Sequence, residues 1–177
     1  MPYETLSSET VYRGRALTVR VDRVRLPGGR ETRLDIIEHP GSVAIVPVDG
    51  LENILLVRQY RHAAGSDLLE LPAGTLHAGE EPDVCAGREL REETGFAATD
   101  LVPLGGFYLA PGYSTEYMHA FLATGLASNP LPADEDESIA LERVSIAGAR
   151  RMLAEGAFQD VKTIAVLAMF FARNQPG

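Results

Sequence analysis

The stretch Gly74–Phe96, GTLHAGEEPDVCAGRELREETGF, constrains this chain more than any other. It carries six carboxylates and few residues able to build a core. Its second half reads as a helix. Pro82 suits a first turn, Asp83 is favourable at the N-terminal end, and Gly95 suits the position just past the C-terminal end. On that helix Glu89 and Glu93 stand four apart and share a face, with Glu92 one turn from Glu89 on its flank. Like charges at this spacing repel by roughly 0.2–0.5 kcal/mol per pair. Two readings follow: an acidic face turned to solvent, or a site that holds a cation. For the second, oxygen-only ligands point to Mg²⁺ or Mn²⁺ rather than Zn²⁺.

At 177 residues the chain is long enough to bury a real core in one domain. Its net charge of −9 argues against a nucleic-acid partner, because no basic stripe exists to neutralise phosphates. An anionic small molecule would need a metal or a few placed arginines. The single Cys85 excludes an intrachain disulfide and fits a reducing compartment. It has no base partner in the pattern and reads as a small buried apolar residue. No apolar run reaches the ~18 residues of a membrane span, and no signal peptide precedes the first polar residues. The expected location is the cytoplasm.

Along the chain, residues 1–9 are polar and read as loose. From Thr10 the pattern becomes β. Thr18 to Leu26 alternates, which predicts one buried face, and Pro27-Gly28-Gly29 turns the chain into a second strand from Glu31 to Glu38. Ser42 to Val48 is a continuous apolar run, the mark of a strand buried on both faces. Asn53 to Val57 is another, whose polar extension Arg58 to Arg61 is expected to leave the core. Leu68 to Gly74 leads into the acidic stretch. Strands are expected at Leu101 to Leu109, Glu116 to Ala123 and Ile139 to Val144. Ser145 and Asp160 suit the starts of two further helices, the last with Ile164, Leu167, Ala168 and Phe171 on its core face. The fold class is therefore α/β: a helix–sheet–helix sandwich around a mixed β-sheet, with an N-terminal antiparallel β-hairpin extension. One domain, 1–177, is expected, with residues 1–40 as the extension and 41–177 as the core.

The acidic stretch resembles the Nudix box: Gly, five residues, Glu, seven residues, then Arg-Glu-apolar-x-Glu-Glu-x-Gly-apolar. Here Gly74, Glu80, Arg88, Glu89, Leu90, Glu92, Glu93, Gly95 and Phe96 fill it without departure. The resemblance implies a hydrolase of nucleoside diphosphate derivatives that uses Mg²⁺, with Mn²⁺ as a substitute. It implies Glu89 and Glu93 as direct metal ligands, Glu92 as a further or water-mediated one, and the Ala73 carbonyl completing the shell. Arg88 is implied as an orienting partner, to Glu80. Glu135 or Glu137 is implied as the loop residue that activates water. The alternative for that loop is a solvated acidic segment.

A subgroup of the family, the ADP-ribose pyrophosphatases, is resembled in a second feature. Pro111 lies fifteen residues after Phe96, within Ala-Pro-Gly-Tyr-Ser-Thr-Glu. The N-terminal hairpin and the segment from Glu38 look alike too, so the resemblance covers most of the chain. It implies that Glu116 bonds ribose hydroxyls, that Arg61 meets the diphosphate, and that Arg33 reaches the diphosphate or the adenosine. Gly112 belongs to the same substrate-binding turn, and Tyr12 is a candidate to stack on adenine. It also implies a homodimer formed through the hairpin. The expected reaction is cleavage of ADP-ribose to AMP and ribose 5-phosphate. The rivals are another substrate of the same chemistry (FAD, a nucleotide sugar, a dinucleotide polyphosphate) or a catalytically silent nucleotide sensor.

Overall fold

The computed structural model describes residues 2–15, 17–132 and 138–173. The chain divides into two compact units: Met1–Gly41 with Phe107–Tyr117, and Ser42–Gly106 with Met118–Gly177.

The first unit is built on an antiparallel meander of β1 (Glu4–Arg13), β2 (Thr18–Arg25) and β3 (Glu31–Glu38), in that order. The turn between β2 and β3 needs glycine: Gly28 and Gly29 have φ of 105° and 91°, a region costly for any side chain. The segment 107–117 turns at Ala110, whose carbonyl accepts from the Tyr113 and Ser114 amides at 3.1 and 2.8 Å. It is pinned to β3 through Ile37, whose amide donates to the Tyr113 carbonyl at 2.7 Å.

Two expectations fail in this unit. From Glu4 onward the segment expected to be loose is not so, since β1 pairs with β2 from Glu4↔Arg25 to Arg13↔Thr18. Backbone pairing needs no apolar pattern, and the strand adds polar ties: Arg25 to Glu4, and the Ser8 hydroxyl to Asp22 at 2.6 Å. The buried positions of β2 are Asp22 and Val24, whereas Val19 and Val21 are only half-buried. The alternation slips phase between Val21 and Val24. Asp22 can be buried because Ser8 and Arg20 satisfy it, which holds its carboxyl below the usual carboxylate range.

In the second unit, β4 (Ser42–Pro47) is the central strand and all six of its residues are buried. It is followed by β5 (Asn53–Arg61), β6 (Ser66–Glu70), β7 (Ala73–Thr75) and helix α1 (Pro82–Thr94). Then come β8 (Phe96–Ala97), β9 (Asp100–Tyr108), β10 (Tyr117–Thr124), β11 (Ala127–Ser128), β12 (Ile139–Ser145), α2 (Ile146–Ala154) and α3 (Val161–Arg173). The main sheet runs β7-β4-β10-β9 and is mixed: β4 is parallel to β10 and antiparallel to β7. A second, antiparallel sheet runs β12-β5-β6, and β8 with β11 forms a two-stranded ribbon.

Both α1 and α3 pack on β4. Val43 and Ile45 meet Cys85, Ala86 and Leu90 of α1 in one core cluster. Alternation sends Ala44 and Val46 to the opposite face, which α3 covers. A fully buried side chain such as Leu90 contributes on the order of 2 kcal/mol relative to exposure. This is the helix–sheet–helix sandwich read from the pattern.

One further expectation holds only in part. The polar run Arg58 to Arg61 stays in the sheet as the end of β5, paired to β12 through Gln59 and to β6 throughout, and within it Tyr60 is exposed while Arg58 and Arg61 are half-buried. Gln59 is buried there. No helix of the described residues is long and apolar enough to cross a membrane.

Candidate active site

Helix α1 begins at Pro82 and stops at Gly95, whose φ of 78° lets its amide return to the Arg91 carbonyl at 3.1 Å. Its buried stripe is Cys85, Ala86, Leu90, Glu93 and Thr94. Four of these are ordinary core choices; Glu93 is not. A carboxylate nine-tenths buried needs a partner. Glu93 accepts the Ala73 amide of β7 at 3.0 Å. β7 is placed by β4, through Ala44↔Ala73 and Val43↔Gly74. One carboxylate thus ties the helix to the residue whose carbonyl the family resemblance assigns to the metal.

Gly74 sits against Glu89. A Cβ built there would lie 1.9 Å from the Glu89 carboxylate carbon. The glycine therefore makes room for a side chain and not for a turn.

Arg88 organises the exposed side of the cluster. Its Nε and Nη2 donate to the two Glu80 oxygens at 2.9 and 3.0 Å, a two-pronged pairing. Its Nη1 donates to Glu89 at 2.7 Å and to Glu92 at 2.8 Å. Nη2 also reaches the Thr75 carbonyl at 3.3 Å. Arg88 lowers the Glu80 carboxyl to about 2, and the His77 amide helps. Glu80 in turn raises the guanidinium above its already high range. Cys85 is fully buried, and burial pushes its thiol up to about 12, so it packs and does not attack.

Glu80, Glu89, Glu92, Glu93 and Arg88 together carry a net charge of three negative units. Among the described residues no three acidic or histidine side chains already converge on one metal position, because Arg88 draws Glu89 and Glu92 to itself. The donors still fit a hard divalent cation: they are all oxygen, they are short of positive charge, and Gly74 keeps the space beside Glu89 free of a Cβ.

The remaining predicted residues lie elsewhere. Arg61 ends β5 and donates to Glu70 at 3.2 and 2.7 Å. In the other unit, Glu116 and Gly112 belong to the 107–117 segment, with the Glu116 carboxylate 4.0 Å from His39 Nδ1. Tyr12 is exposed on β1 in the row Tyr12↔Val19↔Ile37. Arg33 stands in the row Ser7↔Arg23↔Arg33 and lines a groove of about 510 Å³. Four residues along a strand separate the two rows, roughly 13 Å. Glu135 and Glu137 lie outside the described residues.

Two partners of Arg61's surroundings were not foreseen: Glu70 and, from α3, Lys162. The available signal was Glu70 itself, a lone carboxylate between leucines in Leu68-Leu-Glu-Leu.

The NUDIX domain family matches residues 38–167. The chain belongs to this family. Residues 3–40 match a second description, the nucleoside diphosphate sugar hydrolase N-terminal domain. This Nudix protein is 42% identical over 167 residues to an ADP-ribose pyrophosphatase of Mycobacterium tuberculosis, covering 93% of this chain and 80% of that one. It is 35% identical over 162 residues to an ADP-ribose pyrophosphatase of Bacillus subtilis, covering 90% and 88%. Among solved structures it matches an ADP compounds hydrolase with a TM-score of 0.87 at 28% identity, covering 98% and 94%.

Proposed function

We propose that this Nudix hydrolase cleaves the diphosphate of ADP-ribose, with Mg²⁺, to AMP and ribose 5-phosphate. The observation that carries the reading is the Glu93–Ala73 tie beside Glu89 and Glu92, on a chain similar over nine-tenths of its length to ADP-ribose pyrophosphatases. Bound metal would neutralise the diphosphate and lower the cost of forming a nucleophile from water. Glu89 and Glu93 would hold it directly, Glu92 directly or through water, and the Ala73 carbonyl would complete the shell. Mn²⁺ would substitute, since it takes the same oxygen donors.

The protein's own part is positioning. Arg88 keeps Glu80 fixed and pairs with Glu89 and Glu92, which it would give up to a bound cation. Glu135 or Glu137 is the proposed base that takes the proton of the attacking water. The oxygen of that water bonds to one phosphorus as the bridging P–O bond breaks, and the bridging oxygen leaves with the other phosphate. Arg61 meets the diphosphate, Glu116 the ribose hydroxyls beside Gly112, Arg33 the diphosphate or the adenosine, and Tyr12 the adenine.

The test is a substrate panel with Mg²⁺, read as kcat/KM. ADP-ribose should lead FAD and GDP-mannose by more than about tenfold, about 1.4 kcal/mol in transition-state binding. A nucleotide sugar leading by that margin would overturn the substrate assignment. That second reading has its own support, the N-terminal match to nucleoside diphosphate sugar hydrolases.

We place the protein in the cytoplasm as a homodimer joined through residues 1–40. Exposed Tyr3, Val11, Tyr12 and Leu34 on the meander support the second point. Light scattering should return about twice the 19.1 kDa chain mass. A fully active species at the single-chain mass would remove the dimer.

A further inference from the structure

Strand β5 presents Val57, Gln59 and Arg61 on one face, since strand side chains alternate. Pairing of Val57 with Glu70 brings Glu70 of β6 to that same face. Glu70 is 1% exposed. It accepts Nε and Nη2 of Arg61 at 3.2 and 2.7 Å, and also the Lys162 ammonium. Lys162 donates in addition to Asp160 at 2.9 Å.

Lys162 is an unexpected residue where it stands. It is the second residue of α3, an end that disfavours positive charge. Carboxylates on both sides of it offset that field. The next residue, Thr163, is fully buried, and its hydroxyl accepts the Leu71 amide at 2.8 Å. Two successive residues of α3 therefore grip Glu70, the last residue of β6, and Leu71 after it, just ahead of Pro72 and Ala73.

A buried ion cluster is a poor device for stability, because apolar residues of equal volume do as well or better. It is a good device for fixing direction. The Arg61 side chain is 38% exposed, so Glu70 holds its Nε and Nη2 without enclosing the side chain. An arginine carries large rotamer freedom, and freedom removed before binding need not be lost on binding.

We propose that Glu70, clamped by Lys162, is a positioning residue that pre-orients Arg61 for the substrate diphosphate. The proposal rests on the reading that Arg61 meets that diphosphate. It makes the N-terminus of α3, remote in sequence from the acidic helix, a determinant of substrate affinity.

The experiment is a double-mutant cycle on the full chain, with steady-state kinetics on ADP-ribose and Mg²⁺. Arg61→Ala should raise KM about tenfold, and Glu70→Gln about fivefold, with kcat of the latter within about twofold. In the double variant KM should match Arg61→Ala alone, since Glu70 acts only through Arg61. A merely structural Glu70 would lower Tm and the active fraction while leaving KM unchanged, and that result overturns the proposal. So do effects that multiply in the double variant. An Arg61→Ala enzyme with unchanged KM overturns the reading of Arg61 itself, a separate and recognisable failure. Should Glu70→Gln not fold, Lys162→Met is the milder probe: KM should rise about threefold, with no added effect on Arg61→Ala. An unchanged KM there also counts against the proposal.

Discussion

Glu93→Gln should lower kcat on ADP-ribose by on the order of 10³-fold, about 4 kcal/mol of barrier, while the protein stays folded. The two halves of that expectation have different physical origins. The amide side chain keeps an oxygen that can accept the Ala73 amide, now bonded at 3.0 Å, so α1 and β7 remain joined. Loss of the formal charge weakens that bond by about 1 kcal/mol, equivalent to about 3 °C in Tm for a chain of this size. A neutral amide, however, is a far poorer ligand for a hard dication than a carboxylate. Release of AMP followed with time, beside a thermal melt, checks both halves. Activity within about threefold of the parent would remove Glu93 from the metal site. A collapse of Tm would instead assign it to the core stripe in which it sits.

What the sequence made legible was whatever depends on neighbours along the chain. Pro82 and Gly95 bracket α1 because one fits a first turn and the other tolerates φ of 78°. Ser42 to Pro47 reads as a doubly buried strand because it lacks a polar face. Glu80, Glu89 and Glu92 lie on the box spacing, and the structure gathers them around Arg88. What stayed hidden depends on distant partners. β1 carries no apolar pattern, since β2 supplies its backbone bonds and Arg25 and Asp22 its side-chain ties. Gln59 and Arg61 look like an exit from the core until β12 and β6 are in place on either side of β5. Glu70 and Lys162 are 92 residues apart, so no window joins them. Even the start of α1 departs from the usual signal, for Glu81 at the cap makes no side-chain bond to the helix. Pro82, which lacks an amide hydrogen to satisfy, makes that tolerable.

Gly74→Ala separates activity from folding by geometry alone. The new Cβ would stand 1.9 Å from the Glu89 carboxylate carbon and from Oε1, and 2.4 Å from Oε2. No such contact survives, so something moves. Gly74 has no left-handed backbone to strain, and the obstacle is the far end of a flexible side chain. Glu89 therefore swings away, giving up its 2.7 Å bond from Arg88, and the backbone of β7 stays paired to β4. Stability should hold, since alanine restricts the unfolded chain by up to about 1 kcal/mol. Activity should not: kcat/KM is expected to fall about 10²-fold and the Mg²⁺ concentration for half-maximal rate to rise about tenfold. Gly87→Ala, on the same helix with open space around its would-be Cβ, is the matched control. It should add about 1 kcal/mol of helix stability and leave turnover unchanged. If Gly74→Ala turned over like the parent, Glu89 would not be a ligand in the position its packing against β7 gives it. If its Tm fell with its activity, the glycine would serve the strand and not the site.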